Sequence, residues 1–357
     1  MFANEWYFEP IAGEIASLVM LTVFEQLLMS KLVHVLRLGL HLRSLHDGEE
    51  ATAVDTSAPS GKIAQKFVKK ALSTWTDKDK FFPLRRSAPS LSLISNYLPL
   101  DDGVSAMTVF SICTLRAFGV GSQDAINELI KALHIPGSST DIHQALISDR
   151  PDFKRIETTI QAQGKGTAKI SRPVYGQLQI ARASISTMLE KFWVFAEKVI
   201  KEDGSACTFE EVYTLICNTD IPTVPKYGLL AWLIASDLTE WKICEEPTIE
   251  TLAEHMGVAS DQRSSTKRGS PSGPNKALKR VEEEYKVFAT IDGGEYIAPD
   301  LGVGLVNVWR VLEHPPACAP WLQELVEECR KAQCRALSVV DLEHMLCKIE
   351  RYGGKTG

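Results

Sequence analysis

The sequence predicts a mainly α-helical protein made of many helices, with one small β-hairpin. Its longest periodic stretch, Ile180 to Lys201, repeats apolar residues at three-and-four spacing, as a helix with one buried face does. Residues 208–211 read TFEE, the signature of a capping box at a helix start. The strongest hairpin signal is Val287 to Ala298, where an Asp-Gly-Gly turn separates alternating flanks. This balance favours a multi-helix domain over a doubly wound sheet.

Length and composition indicate a folded protein with an uneven charge. The 357 residues can bury one large core or two ordinary ones, and 45% apolar with 24% charged residues is average for a globular chain. The net charge of −6 excludes a protein that is basic all over. However, residues 1–60 carry three Lys/Arg against eight Asp/Glu, whereas Gly61–Arg86 carries eight against two. A basic face of this kind can still contact a polyanion.

The N-terminal region predicts neither a secretory leader nor a membrane span. The first ten residues are acidic, and the apolar stretch Ile15–Phe24 is too short to cross a bilayer. We therefore predict an amphipathic or buried helix over Ile11–Leu45 and no membrane partner, with attachment to a membrane surface as the less favoured alternative. Eight cysteines without a leader predict reduced thiols in a nuclear or cytoplasmic protein.

The distribution of charge, loops and helical periodicity predicts three regions: an N-terminal helix with an acidic linker at 1–60, a basic helical region at 61–150, and a helical domain at 151–357. The middle region should hold a basic helix from Lys62, an extended connection over Leu84–Gly103, and two helices turned at Gly119–Gly121. Ser122 or Asp124 should cap the second of these.

The C-terminal region should continue as helices between loops. Thr248 is expected to cap a short helix with Glu250 in its first turn, where the helix dipole favours negative charge. The polar, basic stretch Asp261–Asn275 predicts a flexible loop. Further helices are expected over three ranges: Lys276–Tyr285, Trp321–Lys331 and Val339–Tyr352.

The segment Ile221–Leu238, IPTVPKYGLLAWLIASDL, is a tight turn that opens into an apolar helix. It resembles the helix–hairpin–helix element of DNA glycosylases, whose turn presents backbone N–H groups to a DNA phosphate. On this interpretation Lys226 and Gly228 would contact nucleic acid. Thr223 and Pro225 depart from the glycine pattern, and proline has no N–H to donate. The alternative is a proline-rich turn that packs two core helices.

Three pieces in order strengthen the resemblance: the helix end AWLIASDL, Asn275-Lys276 opening a helix, and the last helix, DLEHMLCKIERY. Together they resemble the alpha-glutamyl/putrescinyl thymine pyrophosphorylases, most closely clade 3, over roughly Ile180–Tyr352. That family is related to the helix–hairpin–helix glycosylases. The resemblance implies that the domain at 151–357 is a glycosylase-like helix–hairpin–helix domain, in which an amine displaces pyrophosphate from an activated 5-substituted thymine in DNA. DNA and an amine or amino-acid donor would then be the partners.

The resemblance also implies roles for individual residues. Asp237 and Glu343 match the acidic positions and would do acid–base or amine-binding work. The other candidates are substrate-binding: Lys276 and Arg351 towards the phosphates, Tyr227 and Trp232 stacking on the base. Each residue has a structural alternative as well. The carboxylates would form ion pairs, Lys276 would be a solvated charge, and Trp232 would belong to the core.

The basic segment at 62–86 alternates cations with aromatic residues, as single-strand-binding surfaces do. Lys66, Lys69 and Lys70 are therefore candidate nucleic-acid contacts, although an amphipathic helix with its lysines outside explains the same pattern. Among the C-terminal cysteines and histidines, only three pairs approach the spacing of structural zinc ligands: His314–Cys318, His344–Cys347 and the looser Cys329–Cys334. We predict no metal and no cofactor, with a zinc site as the less favoured alternative. The competing function is a non-catalytic nucleic-acid-binding or helical interaction module of the same fold.

Overall fold

A computed structural model describes residues 14–15, 18–47, 71–73, 79, 82–98, 105–133, 150–163, 168–170, 178–180, 183–201, 205–222, 228–258, 273–291 and 294–353. The described chain is mainly helical, as predicted, with thirteen α-helices and one two-stranded antiparallel sheet. In chain order the elements are α1 Val23–Asp47, α2 Pro89–Tyr97, α3 Ala106–Phe118, α4 Gln123–Ala132, α5 Phe153–Gln163, β1 Ala168–Ile170, β2 Leu178–Ile180, α6 Ala183–Val199, α7 Phe209–Asn218, α8 Leu229–Glu240, α9 Ile249–Met256, α10 Gly273–Thr290, α11 Leu301–Glu313, α12 Pro320–Gln333 and α13 Val339–Gly353.

The chain forms two compact units, and each is assembled from separate stretches of sequence. Unit 1 draws its residues from 1–73, 81–87 and 248–357, and unit 2 from 74–80 and 88–247. The predicted limits at residues 60 and 150 are not limits of these units. The predicted C-terminal region, 151–357, is shared between them at Pro247 and Thr248.

Helix α1 is the centre of unit 1, where α10, α11, α12 and α13 all pack against it. Its apolar residues are buried along most of its length, including Leu28, Leu32 and Leu36 at 0% exposure. Close packing depends on small residues at two places. A Cβ at Gly39 would lie 1.9 Å from Pro83, and one at Gly304 would lie 2.7 Å from the Phe24 ring. Any side chain at either position would therefore push the neighbouring element away.

Helix α3 has the corresponding position in unit 2, because α6 and α8 pack against it and every residue from Met107 to Phe118 is buried. The Phe110 ring joins three elements, with its centroid 5.8 Å from that of Phe153 on α5 and 5.8 Å from that of Trp193 on α6. Helix α7 packs on α8, and α4 packs on α5. A helix that is buried all round is typical of the centre of a core.

Several predictions about the elements are confirmed. The predicted face of α6 lies fully in the core, and Ile185, Met188 and Phe192 are among its residues with 0% exposure. Ser122 rather than Asp124 caps α4, because its hydroxyl accepts from the Ala125 N–H at 3.3 Å. The cap by Thr248 and the helices at 320–333 and 339–353 also stand where the sequence placed them.

The hairpin predicted over Val287–Ala298 is wrong. Val287 to Thr290 continue α10, and 294–300 run without regular structure, while residues 292 and 293 lie outside the described ranges. The chain turns back along the helix instead of pairing with a strand. A Cβ at Gly294 would lie 2.4 Å from the Ala289 carbonyl oxygen, and the Tyr296 hydroxyl donates to Glu282 at 3.0 Å. The glycine therefore serves a close approach to a helix end, a use that its spacing does not distinguish from a hairpin turn.

Two further differences concern the middle of the chain. Leu84–Gly103, predicted to be extended, contains helix α2, and Pro89 occupies its first turn, where a missing N–H costs nothing. The only strands in the described ranges, β1 and β2, pair Ala168 with Ile180, where the sequence predicted only the start of a helix at Ile180. Helices α5 and α11 had no prediction. The predicted basic helix from Lys62 falls almost entirely outside the described residues.

Within the described part of the chain, no helix is both long enough and apolar enough to cross a bilayer. The eight cysteines all lie in described ranges and all are thiols.

The capping box of α7 provides a test of this local structure. The Thr208 hydroxyl accepts from the Glu211 N–H at 3.1 Å, and the Glu211 carboxylate accepts from the Thr208 N–H at 2.8 Å. We expect Thr208→Ala to lower the free energy of unfolding by about 1 kcal/mol, since the Glu211 N–H loses the hydroxyl that accepts from it. The measurement is urea unfolding. Thr214→Ala, an exposed site on the same helix, is the control and should be neutral within roughly 0.5 kcal/mol.

Candidate functional site

Asp237, the first predicted catalytic acid, forms a buried ion pair inside unit 2. It lies on α8 and is 1% exposed, and both of its carboxylate oxygens accept from Arg116 of α3 through the guanidinium Nε and Nη2. Arg116 is itself 3% exposed. This two-pronged geometry matches the planar fork of arginine to the two oxygens of a carboxylate. The pair therefore fixes α8 to α3 in the core.

The charge of Asp237 affects the thiol beside it. Burial first, and the nearby Asp237 carboxylate second, raise the pKa of Cys113 well above the ordinary value for cysteine. Both effects disfavour the thiolate, which is the nucleophilic form of cysteine. Cys113 is therefore an inert core thiol.

Trp232, predicted to stack on a base, is a core residue in the structure. It is 0% exposed, and its ring lies 4.8 Å from the Phe209 ring and 5.7 Å from the Tyr213 ring, both in edge-to-face arrangements. A ring that stacks on a base needs at least one face open to it, whereas this ring is fully buried and packs against α7. The aromatic cluster joins α7 to α8.

In unit 1, helix α13 carries an unusual number of buried ionisable groups. From Leu337 to Ile349 every side chain is buried except Cys347, which is half-buried. That stretch includes four ionisable residues with at most 6% exposure: Asp341, Glu343, His344 and Lys348. Because an ionised group is costly to remove from water, such side chains need compensating partners.

Asp341 has the most complete set of such partners. Its carboxylate accepts from the Arg85 N–H at 3.1 Å, the Gln333 amide at 3.1 Å, and Arg335 at 2.7 Å. It also accepts from the N–H and hydroxyl of Ser338, at 3.1 and 3.3 Å, while the Ser338 hydroxyl accepts from the Asp341 N–H. The result is a reciprocal cap on α13 that also holds the short turn at Arg85 and the end of α12.

Glu343, the second predicted catalytic acid, is 1% exposed and lies on the side of α13 that carries Cys347. The Cys347 thiol donates to its Oε1 at 3.4 Å. His344 and Lys348 lie one turn apart on the same helix, at 6% and 1% exposure. A carboxylate, an imidazole and an ammonium group are thus concentrated within six residues, and these are the group types that transfer protons in enzymes.

The structure does not bring the two predicted acids together within one unit. Asp237 belongs to unit 2 and Glu343 to unit 1. Gly228 is half-buried at the start of α8, and Lys276 is exposed in the first turn of α10. The remaining predicted positions lie outside the described residues: Lys66, Lys69, Lys70, Lys226, Tyr227 and the side chain of Arg351. The departures at Thr223 and Pro225 also fall there.

Sequence reasoning missed the partners of the two buried aspartates. Arg116 occurs in an apolar helix and lies 121 positions from Asp237 in sequence. No local sequence pattern therefore predicts that these two residues pair. The cap of α13 did have a signal, since Ser338-Val-Val-Asp341 has the spacing of a capping box.

In comparisons with known proteins, no family model, no curated protein and no solved structure matches the chain. In the ranges that the structure describes, no three histidine, cysteine, aspartate or glutamate side chains gather so as to hold a metal ion.

The buried ion pair of unit 2 gives the second test. We expect Arg116→Met to lower the free energy of unfolding by about 3–5 kcal/mol, because the Asp237 carboxylate would stay buried without its cation. The double variant Arg116→Met/Asp237→Leu should recover most of that loss, since both charges are then gone. Chemical denaturation measures both variants. A loss below about 1 kcal/mol for the single variant, or no recovery in the double one, contradicts the assigned role of the pair.

Proposed function

We propose that this protein is a transferase acting on an activated 5-substituted thymine in DNA, with Glu343 as the carboxylate that takes a proton from the incoming amine. The observation that carries the proposal is helix α13. The helix whose sequence bears the resemblance to the thymine pyrophosphorylases is also the one with four buried ionisable residues. Burying an ionisable side chain costs free energy. Such side chains are therefore concentrated where their chemistry is used, as at functional sites.

The reaction is a displacement at the exocyclic methylene carbon. The amine nitrogen forms a bond to that carbon, the bond from the carbon to the pyrophosphate oxygen breaks, and the nitrogen loses a proton to the carboxylate. The leaving pyrophosphate takes the bonding electrons and needs cations around it. Lys276, which is exposed, and Arg351 are the candidates for that role.

The geometry of unit 2 changes the proposed role of Asp237. Because Arg116 binds both of its oxygens, Asp237 holds two helices together and leaves proton transfer to Glu343. Trp232 packs in the aromatic cluster and is not assigned to the base.

These same two residues favour the competing function, a non-catalytic nucleic-acid-binding or helical interaction module. Both are core residues, and Glu343, at 1% exposure, is as buried as Asp237. A protein that kept the fold and lost the chemistry would show such a pattern. It would bind DNA with an affinity that falls steeply as salt is added, and it would release no new nucleoside.

Mass spectrometry of nucleosides separates the two functions. DNA containing pyrophosphorylated 5-hydroxymethyluracil is incubated with an amine and with wild-type protein, Glu343→Gln or Glu327→Gln. We expect an amine-substituted nucleoside from wild type and from Glu327→Gln, since Glu327 is a half-buried acid on α12 that pairs with Arg330 and has no assigned role in the reaction. Glu343→Gln should be slower by about 100-fold or more, because an amide accepts no proton from the amine.

Equal yields from wild type and Glu343→Gln would remove Glu343 from the chemistry. Absence of product from folded wild-type protein across a series of amines and amino acids would favour the non-catalytic module. Circular dichroism of each variant establishes that it is folded, and glutamine preserves the shape of the buried side chain.

A further inference from the structure

Exposed apolar side chains are concentrated in unit 1. Of the nine large hydrophobic residues that are exposed in the described ranges, eight belong to that unit, and Phe288, Ile291 and Ile297 are 58%, 68% and 72% exposed. Single exposed apolar residues are normal, whereas a concentration of them indicates a binding surface. We call the eight together the apolar surface: Val19, Met20, Val23, Val287, Phe288, Ile291, Ile297 and Val303.

Contacts beneath these residues show that they lie on adjoining elements. The Phe24 ring on α1 is 6.1 Å from the Tyr285 ring on α10, which is 5.9 Å from the Tyr296 ring. Gly304 of α11 also lies against Phe24. Three residues of the apolar surface adjoin these contacting residues in sequence: Val23 precedes Phe24, Ile297 follows Tyr296, and Val303 precedes Gly304.

The end of α10 contributes the most prominent part of the apolar surface. Val287 and Phe288 lie in the last turn of α10. Ile291 follows the helix end directly, and its N–H donates to the Phe288 carbonyl at 3.4 Å. No strand belongs to the described part of unit 1. The apolar surface offers exposed side chains, and such side chains bind the apolar face of an amphipathic helix.

The segment that carries the end of α10 is mainly acidic, and one of its acids, Glu284, is paired with Lys31 and Arg280. Residues 281–300 contain six Asp/Glu and one Lys. Glu283 and Glu295 are exposed, and the ammonium group of Lys286 lies 5.4 Å from the centre of the Tyr296 ring. The exposed carboxylates of Glu283 and Glu295 repel nucleic acid, and they also repel the same two carboxylates on a second copy of the chain.

We propose that the apolar surface binds an amphipathic helix of a partner protein, one whose apolar face is bordered by lysine or arginine residues. The apolar side chains would provide the contact area, and Glu283 and Glu295 would select the sign of the partner's charge. This binding site goes beyond the base chemistry and is independent of it, because none of its residues is assigned to the reaction.

The probe is a fluorescent 18-residue helical peptide of leucine and lysine, arranged with one apolar face. Its counterpart has glutamate in place of every lysine. Binding is measured by fluorescence anisotropy with wild type and three variants: Phe288→Ser, Ile291→Ser and Val194→Ser. Val194, on α6 of unit 2, is 38% exposed and is the matched control.

We expect the lysine peptide to bind wild type and Val194→Ser equally and Phe288→Ser or Ile291→Ser about tenfold more weakly. The glutamate peptide should bind wild type at least tenfold more weakly than the lysine peptide. Glu283→Gln/Glu295→Gln should reduce both the affinity for the lysine peptide and its dependence on salt. Because the substituted side chains are exposed, the variants should keep the thermal midpoint of wild type.

Three outcomes would overturn the proposal. The first is unchanged affinity in Phe288→Ser and Ile291→Ser, and the second is equal binding of the two peptides. The third is a dimer in sedimentation that Phe288→Ser dissociates, which would assign the surface to a second copy. The peptide-binding results do not depend on whether product forms in the nucleoside assay. The proposed binding surface and the proposed transferase function can therefore fail separately.

Discussion

The structure of each unit depends on a buried carboxylate that is fully neutralised by its neighbours. In unit 2 the carboxylate is Asp237, bound on both oxygens by Arg116. In unit 1 it is Asp341, which accepts six hydrogen bonds, two of them from Arg335. A buried charge without such partners is strongly destabilising, so these contacts restrict how the surrounding helices can pack.

The two carboxylates differ in what they hold. Asp237 joins two long apolar helices, α3 and α8, whose packing is otherwise non-directional. Asp341 joins the start of α13 to the turn at Arg85, more than 250 positions earlier in sequence, and to the end of α12. Through Asp341, the turn at the end of the basic segment is held to α12 and α13 of unit 1.

This arrangement bears directly on function. The resemblance treats Asp237 and Glu343 as equivalent acids, yet Asp237 is bound by an arginine whereas Glu343 lies on a helix with several ionisable neighbours. Asp341 caps α13, so its role is structural, and Glu343 is the acid of this helix that the resemblance assigns to the chemistry. That contrast is why the proposed proton acceptor is Glu343.

The sequence predicted local structure well where the residues concerned have a single structural use. The face of α6 follows from apolar spacing, and the caps by Ser122, Thr208 and Thr248 follow from side-chain oxygens at helix starts. Pro89 and Gly294 misled because each residue type serves two structures. Proline both breaks a helix and begins one, and glycine serves hairpin turns and close approaches alike.

The candidate site could be predicted only in part. Residue types and short motifs indicated Asp237 and Glu343 as candidate acids, and both are buried. Their partners could not be predicted, because a pairing such as Arg116 with Asp237 depends on how distant helices pack. For the same reason the assignment of the two acids to different units was beyond the sequence.

The most direct test of the claim that buried carboxylates organise each core is hydrogen–deuterium exchange of the Arg85 amide in wild type and in Asp341→Asn. That N–H donates to Asp341 at 3.1 Å, and its exchange reports the link between the turn and α13. We predict exchange faster by about tenfold or more in the variant, since the asparagine lacks the charge that binds Arg335 and strengthens the contact. Unchanged protection of the Arg85 amide would contradict the claim.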